Sequence, residues 1–511
     1  MKHSQPAVIA ALALAASTSW LVTAPAHAAA PATCEGKAVT IVATTTVTTG
    51  TEGDDVVAME PGGWTRFDAL GGNDTVCLAL PAEITTDHYG GRDRVGVLDA
   101  GGGDDTVVNL TPAGSTVTTM QVVLGLGNDT FAGADLGEKV YTDKEVGYFP
   151  DDPEAADPEL VGQQTDVVTG VAEVWSTSPT GGLNADRITF GSRGGLAVMA
   201  GPVGPQGLLD FTAASEPRLE IRSLGRLGVP STGNVVVDNR AQTVTAGPDT
   251  VLAWSGEVAS FTLGQPRRMV VMGPAVGFVG TDAAESVVFA DVLVGDVDLG
   301  GGDDVLSVQS WNNAFIPRSA DGGSGRDRLS IDTTCHIELE VRVDRTVTCD
   351  GRSGPLAGFR EVYANGSSAS GARTVVVGTA RRDRLSASGS IVVVRAGAGR
   401  DQVTVDESSL ARVHAGGGAD RVYASGDDVV VRGQGGADRL ELGGTADLDE
   451  APGIRNQQVA LGGAGRDVLL GTADDRERDR LVGGPGRDRA DGRKGRRDYC
   501  SAEVTRRCER P

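Results

Sequence analysis

The sequence predicts a mainly β protein: a parallel β-roll or β-helix solenoid, in which short strands coil around a thin core and Gly-Asp turns join them. Three observations predict it. A glycine–aspartate phrase recurs about ten times, its aspartates keep a near-constant spacing towards the C-terminus, and large side chains are scarce. Glycine accounts for 73 of 511 residues and aromatics for 4%, about twice the usual glycine share. Such a chain cannot fill several thick globular cores. It can stack small β-branched residues in rows.

The phrase is small-Gly-x-Gly-x-Asp-x-apolar. Its cleanest copies run from Gly322 to Asp327, Gly462 to Asp467 and Gly483 to Asp488, with close variants ending at Asp55, Asp74, Asp105, Asp129 and Asp304. In the C-terminal part Asp383, Asp401, Asp420 and Asp438 lie 18, 19 and 18 residues apart. Eighteen residues is two nonapeptides, or one full circuit of a flattened coil: turn, strand, turn, strand. Valine-rich runs such as Ile391–Val394 and Val429–Val431 occupy the intervening half-circuits. The spacing places one column of aspartates along an edge, with strands about 4.8 Å apart.

The residue types have physical reasons. Glycine adopts the positive φ of a tight turn without steric cost. It also lets backbone carbonyls approach a bound ion. Aspartate is short enough to reach such an ion from the end of the turn, and the apolar residue two positions on shares its face in an extended chain. Carboxylates and carbonyls from successive turns would suit Ca²⁺, which takes six to eight oxygen ligands. The candidate ligands are Asp55, Asp74, Asp105, Asp129, Asp304, Asp327, Asp383, Asp401, Asp420, Asp438, Asp467 and Asp488.

This phrase resembles the calcium-binding nonapeptide of the RTX, or hemolysin-type, repeat family. The resemblance covers residues 50–135, 295–335 and 378–498 in patches, and both chain ends resemble secreted members from high-GC Gram-positive bacteria. It implies a parallel β-roll with calcium between turns. The family's toxins carry a C-terminal export signal, whereas this chain begins with a basic start, an apolar run from Ala7 to Val22 and an Ala26-His27-Ala28 cleavage site. The expected location is extracellular and the role structural or adhesive. Calcium ions and cell-surface or matrix polymers are the expected partners.

Charge and cysteines agree with that placement. The net charge is −23, yet the residues from Gly371 onward carry +2, so the preceding part holds −25. A strongly acidic first part argues against nucleic acid, and no later stretch is long and apolar enough for a membrane span. Six cysteines allow fifteen pairings. Proximity favours Cys335–Cys349 and Cys500–Cys508, leaving Cys34–Cys77. The arginines flanking the later aspartates (Arg326, Arg328, Arg382, Arg384, Arg487, Arg489) are expected to point to solvent. There they could pair with neighbouring carboxylates and weaken calcium binding, so the early and central sites should be tighter.

The chain divides into a signal peptide (1–28), an N-terminal repeat region (29–135), an acidic insertion or linker (136–165) and a degenerate β-coil region (166–295). A repeat block (296–350), a spacer (351–377) and a C-terminal solenoid (378–511) follow. In the degenerate region, eroded phrases end at Asp186 and Asp282. No helix is expected outside the signal. No H-E-x-x-H, G-x-S-x-G or P-loop is present, and His88, His336 and His414 are isolated, so no catalytic role is expected. The alternative is a β-helix carbohydrate-active enzyme, a lyase or epimerase, with its site within 166–295.

Overall fold

The computed structural model describes residues 32–44, 47–60, 66–79, 96–112, 120–142, 165–177, 185–200, 207–222, 235–264, 275–310, 315–444, 457–473, 478–493 and 498–508. The proposed signal peptide lies outside them. Among the described residues there are 44 strands and no helix. Of these, 42 belong to one continuous hydrogen-bonded sheet that is parallel almost throughout. The chain is a parallel β-solenoid.

Two flattened faces enclose the core. On the first, Val57, Val76, Val107, Phe131, Val168, Ile188, Leu209 and Trp254 stand in register in successive coils. On the second, a longer row starts at Phe67, Leu98, Val122, Val140 and Val174. It continues through Ala197, Leu219, Phe261, Val287, Leu306 and Leu329. It then runs by Val362, Leu385, Val403, Val422, Leu440 and Leu469 to Ala490. All these side chains are buried. A buried side chain of this size contributes about 1.5–3 kcal/mol, so these rows hold the fold together.

Antiparallel excursions interrupt the coil at two places. One pairs Val235–Asp238, Thr243–Ala246 and Asp249–Ser255. The other pairs Glu338–Arg342, Thr346–Cys349 and Arg352–Ala357, and Cys335–Cys349 closes it. Cys34–Cys77 ties the N-terminal hairpin to the first coils, and Cys500–Cys508 closes the last one. The pairing favoured by proximity is the one observed.

Several boundaries differ from expectation. Residues 136–165 are not wholly an insertion, because Glu138–Tyr141 is a strand in register with Met120–Val123. Buried Glu138 fixes it by accepting hydrogen bonds from the Ala134 and Leu136 N–H groups and from Asn109 Nδ2. The acidic stretch 143–164 lies outside the described residues. The spacer 351–377 is coil as well: Phe359–Asn365 pairs with Asp327–Thr333, and Arg373–Val377 with Ile391–Ala398. The described residues of 166–295 continue the solenoid. Aromatic packing concentrates there, with Phe190 stacked on Phe211 at 4.5 Å and Phe261 edge-on to Phe278 at 5.0 Å. No helix among the described residues is long and apolar enough to cross a membrane.

Aspartate ladders as a candidate cation site

The glycines of the repeat phrase are required by stacking. Past the opening coil of a ladder, the backbone four residues before the inner aspartate has positive φ, as at Gly101 (92°) and Gly416 (106°); two residues before, it does so again, as at Gly103 and Gly418 (both 132°). A Cβ at Gly418 would lie 1.4 Å from the Gly399 carbonyl oxygen, and one at Gly416 would lie 1.7 Å from that of Gly397. Consecutive turns nest backbone on backbone, leaving no room for a side chain. Leu70 and Gln434 occupy the first of these columns with φ of 72° and 75°, so that column tolerates a strained non-glycine residue occasionally.

This nesting buries the aspartates. All twelve candidate residues are buried. After the opening acid of a ladder, each inner carboxylate accepts, through Oδ1, the backbone N–H of the equivalent acid one coil earlier. The first ladder runs Asp55 to Asp74 (2.7 Å), Asp74 to Asp105 (2.8 Å), Asp105 to Asp129 (2.8 Å), Asp129 to Asp166 (2.8 Å) and Asp166 to Asp186 (2.9 Å). A short second ladder runs Glu285 to Asp304 (2.7 Å) and Asp304 to Asp327 (3.0 Å). The third begins at Asp383 and runs through Asp401, Asp420, Asp438 and Asp467 to Asp488 at 2.8–2.9 Å. Glu503 accepts the Asp488 N–H at 2.6 Å and closes the column.

The ladders do not all share one edge. In the first, the Gly-Asp turn leads from the second face to the first, as between Gly96–Asp99 and Thr106–Asn109. In the second and third it leads from the first face to the second, as between Ile391–Ala398 and Gln402–Gly417. The column therefore changes edge within residues 187–285, where the phrase is eroded. The last coils carry a second short column on the other edge, where the Asp479 N–H donates to Asp498 Oδ1 at 3.1 Å.

The second oxygens are the unusual feature. Oδ2 of Asp74, Asp105, Asp129, Asp304, Asp327, Asp401, Asp420, Asp438, Asp467 and Asp488 is buried and has no hydrogen-bond partner. Burial pushes the Asp105 carboxyl up to about 8, opposed by the Asp74 N–H and assisted by Asp129 and Asp74. Burial likewise pushes Asp129, Asp304 and Asp401 up to about 7, and Asp74 and Asp438 to about 6. A buried carboxylate with one free oxygen calls for a cation or a proton.

The opening coil of each ladder is different. Thr51 donates its N–H and hydroxyl to Asp55 Oδ2, at 2.8 and 2.9 Å. Thr379 donates in the same way to Asp383, and the Thr281 N–H donates to Glu285 at 2.9 Å. Sequence reasoning missed this cap, whose signal is Gly-Thr with an acid four residues after the threonine, at 50–55, 280–285 and 378–383. It also missed Asp166, Glu285, Glu503, Asp479 and Asp498 as ladder members. Asp186 joins the ladder as its eroded phrase suggested. Asp282 does not, because Glu285 takes the ladder position in that coil.

The residue just before the ladder acid separates the two ends of the molecule. Near the N-terminus it builds a second, exposed column, in which the Asn73 N–H donates to Asp54, the Asp104 N–H to Asn73 and the Asn128 N–H to Asp104, at 2.7–2.9 Å. In the third ladder the equivalents are Arg382, Arg400, Ala419, Ala437, Arg466 and Arg487. Not all the flanking arginines are free in solvent as expected. Arg328 and Arg384 reach the buried Glu361 at 3.0 and 2.9 Å, and Arg326 lies 3.6 Å from it. They neutralise a carboxylate that the spacer coil buries.

Among the described residues no three His, Cys, Asp or Glu side chains converge as a metal-binding group. The ladder carboxylates instead lie close to the glycine backbone of their turns: a Cβ at Gly433 would meet Asp438 Oδ2 and the Gly462 carbonyl oxygen, both at 2.4 Å. Oxygen groups of this kind fit calcium better than zinc or another nitrogen- or sulfur-seeking metal. No family model and no curated protein matches this chain.

Proposed function

We propose that the protein is a secreted, calcium-binding rod of the hemolysin-type repeat class, serving as an extracellular structural or adhesive module. The observation that carries this reading is the row of buried, unpartnered Oδ2 atoms along the ladders. With no counter-charge, ionised carboxylates stacked coil upon coil repel one another. Asp74, Asp105, Asp129, Asp304, Asp401, Asp420 and Asp438 would hold calcium through Oδ2 together with turn carbonyls. The ion supplies positive charge and an oxygen-ligand shell, and its binding energy becomes folding energy. The chain's part is to deliver one carboxylate per coil, held by a backbone N–H and by glycine nesting.

Extracellular modules bind calcium with dissociation constants of about 10⁻⁴–10⁻³ M, so folding would follow export from a calcium-poor cytosol. The test is thermal unfolding of the mature chain, followed by circular dichroism in millimolar calcium and in chelator, with bound ions counted by calorimetry. A higher midpoint in calcium is expected. Identical melting in both conditions, with no ion bound, would overturn the reading.

A further inference from the structure

Outside the ladders, one charged feature has no structural counterpart. On the first face, Arg395, His414 and Arg432 stand directly opposite one another on three successive strands. Their spacing is about 4.8 Å per step, so the row extends about 10 Å along the solenoid axis. None of the three has an ion pair or hydrogen bond among the described residues. Like charges directly opposite in a sheet are destabilising. His414 registers this: its imidazole is held below the usual histidine value by burial and by the guanidinium groups of Arg432 and Arg395.

The neighbouring row shows what the chain does when it wants a structural arginine. Arg412, two residues before His414, makes a two-pronged contact with Asp428 at 3.1 and 3.0 Å. Asp428 is thus taken by Arg412, and the next row has no ion pair of its own among the described residues. Val377 precedes Arg395 in register and Leu461 follows Arg432. The row thus has half-exposed aliphatic side chains at both ends. Arg395 is exposed and His414 and Arg432 are half-exposed on this strand face, and the row runs across successive strands, along the solenoid axis.

We propose that Arg395, His414 and Arg432 form a binding track for an acidic polysaccharide laid lengthwise on the first face. Sulfate or carboxylate groups would pair with the cations. The aliphatic side chains at the ends would meet the apolar faces of sugar rings. The strand spacing is comparable to the advance of one pyranose in an extended chain, so each coil can meet a successive sugar. The inference rests on the extracellular adhesive reading for its partner, but not on calcium.

The test uses the full mature chain with dextran sulfate oligomers, neutral dextran of matched length and a single-stranded DNA oligonucleotide. Binding is measured by calorimetry at two salt concentrations, in calcium and in chelator. Wild type should bind dextran sulfate in a salt-sensitive way, ignore neutral dextran and bind DNA more weakly. Arg395→Ser with Arg432→Ser should weaken dextran sulfate binding by about ten-fold or more. Arg400→Ser with Arg466→Ser, on the turn edge, should leave it unchanged, and His414→Arg should strengthen it. Without ligand, the Arg395/Arg432 double variant should melt at the same temperature as wild type or higher, because repulsion is relieved. If the serine variant is unfolded, Arg395→Gln with Arg432→Gln serves instead.

Four outcomes overturn the track: unchanged dextran sulfate binding in the double variant, loss of binding only in the turn-edge variant, tighter binding to DNA, or salt-dependent self-association as the only process that the double variant abolishes. Calcium dependence is read separately. Binding that persists in chelator while melting is indifferent to calcium would sink the ladder proposal and spare the track.

Discussion

The first and third ladders share a backbone and differ in chemistry. From Asp55 to Asp186 the ladder follows one edge, its spacing stretches from 19 to 37 residues, and Asn and Asp form an exposed companion column. From Asp383 to Asp438 it follows the opposite edge at 18–19 residues per coil, and arginine or alanine replaces the companion column. The glycine columns and inner carboxylates persist in both, so they are what a coil needs. The outer position is free to vary, and there the acidic half and the near-neutral half part company.

The largest expected effect separates the halves by cation. In hydrogen exchange with and without chelator, coils 66–132 should lose far more protection than coils 384–443, which lack a second acidic column and carry compensating arginines. Equal loss would erase the distinction. A pH series sharpens it. Asp74, Asp105, Asp129, Asp304, Asp401 and Asp438 have raised folded values, so at these groups the folded chain holds protons more tightly than the unfolded one. In chelator, stability is then complete below about pH 4 and falls as pH rises through about 6–8. Calcium, if bound as proposed, would replace the proton and flatten that fall. A chelated protein that gains stability towards pH 8 would contradict the buried-carboxylate account.

A smaller effect tests what the halves share. Gly418→Ala should cost about 1–3 kcal/mol by overpacking, with a further penalty for positive φ. Gly417→Ala, whose Cβ meets nothing within 4 Å, should cost far less. Denaturant melts of the two variants compare them. The smallest effect concerns the companion column. Asn73→Ala removes the acceptor of the Asp104 N–H at 2.7 Å and should cost about 0.5–1.5 kcal/mol. Ala419→Asn, at the matching place in the third ladder, should gain no more than that.

Much of this was legible in the residues. The 18-residue spacing and the apolar residue two places after each aspartate gave the parallel coil, and every candidate aspartate lies in a ladder. The change of edge was not legible, because a turn phrase looks the same whichever face it leaves. The Thr51, Thr281 and Thr379 caps escaped notice because Gly-Thr reads as a degraded Gly-Gly until the carboxylate is seen above it. Glu361 escaped for another reason: its three arginines come from the coils before and after it, 23 to 35 positions away in the chain.

The donor in each rung belongs to the earlier coil and the acceptor to the later one. A coil is therefore finished only by its successor, like a zipper that closes in one direction. A chain emerging N-terminus first always presents one unanswered amide at its growing tip, and the next stretch to arrive brings the carboxylate that answers it. Assembly can then keep pace with threading through a narrow exit, with Glu503 as the final stop.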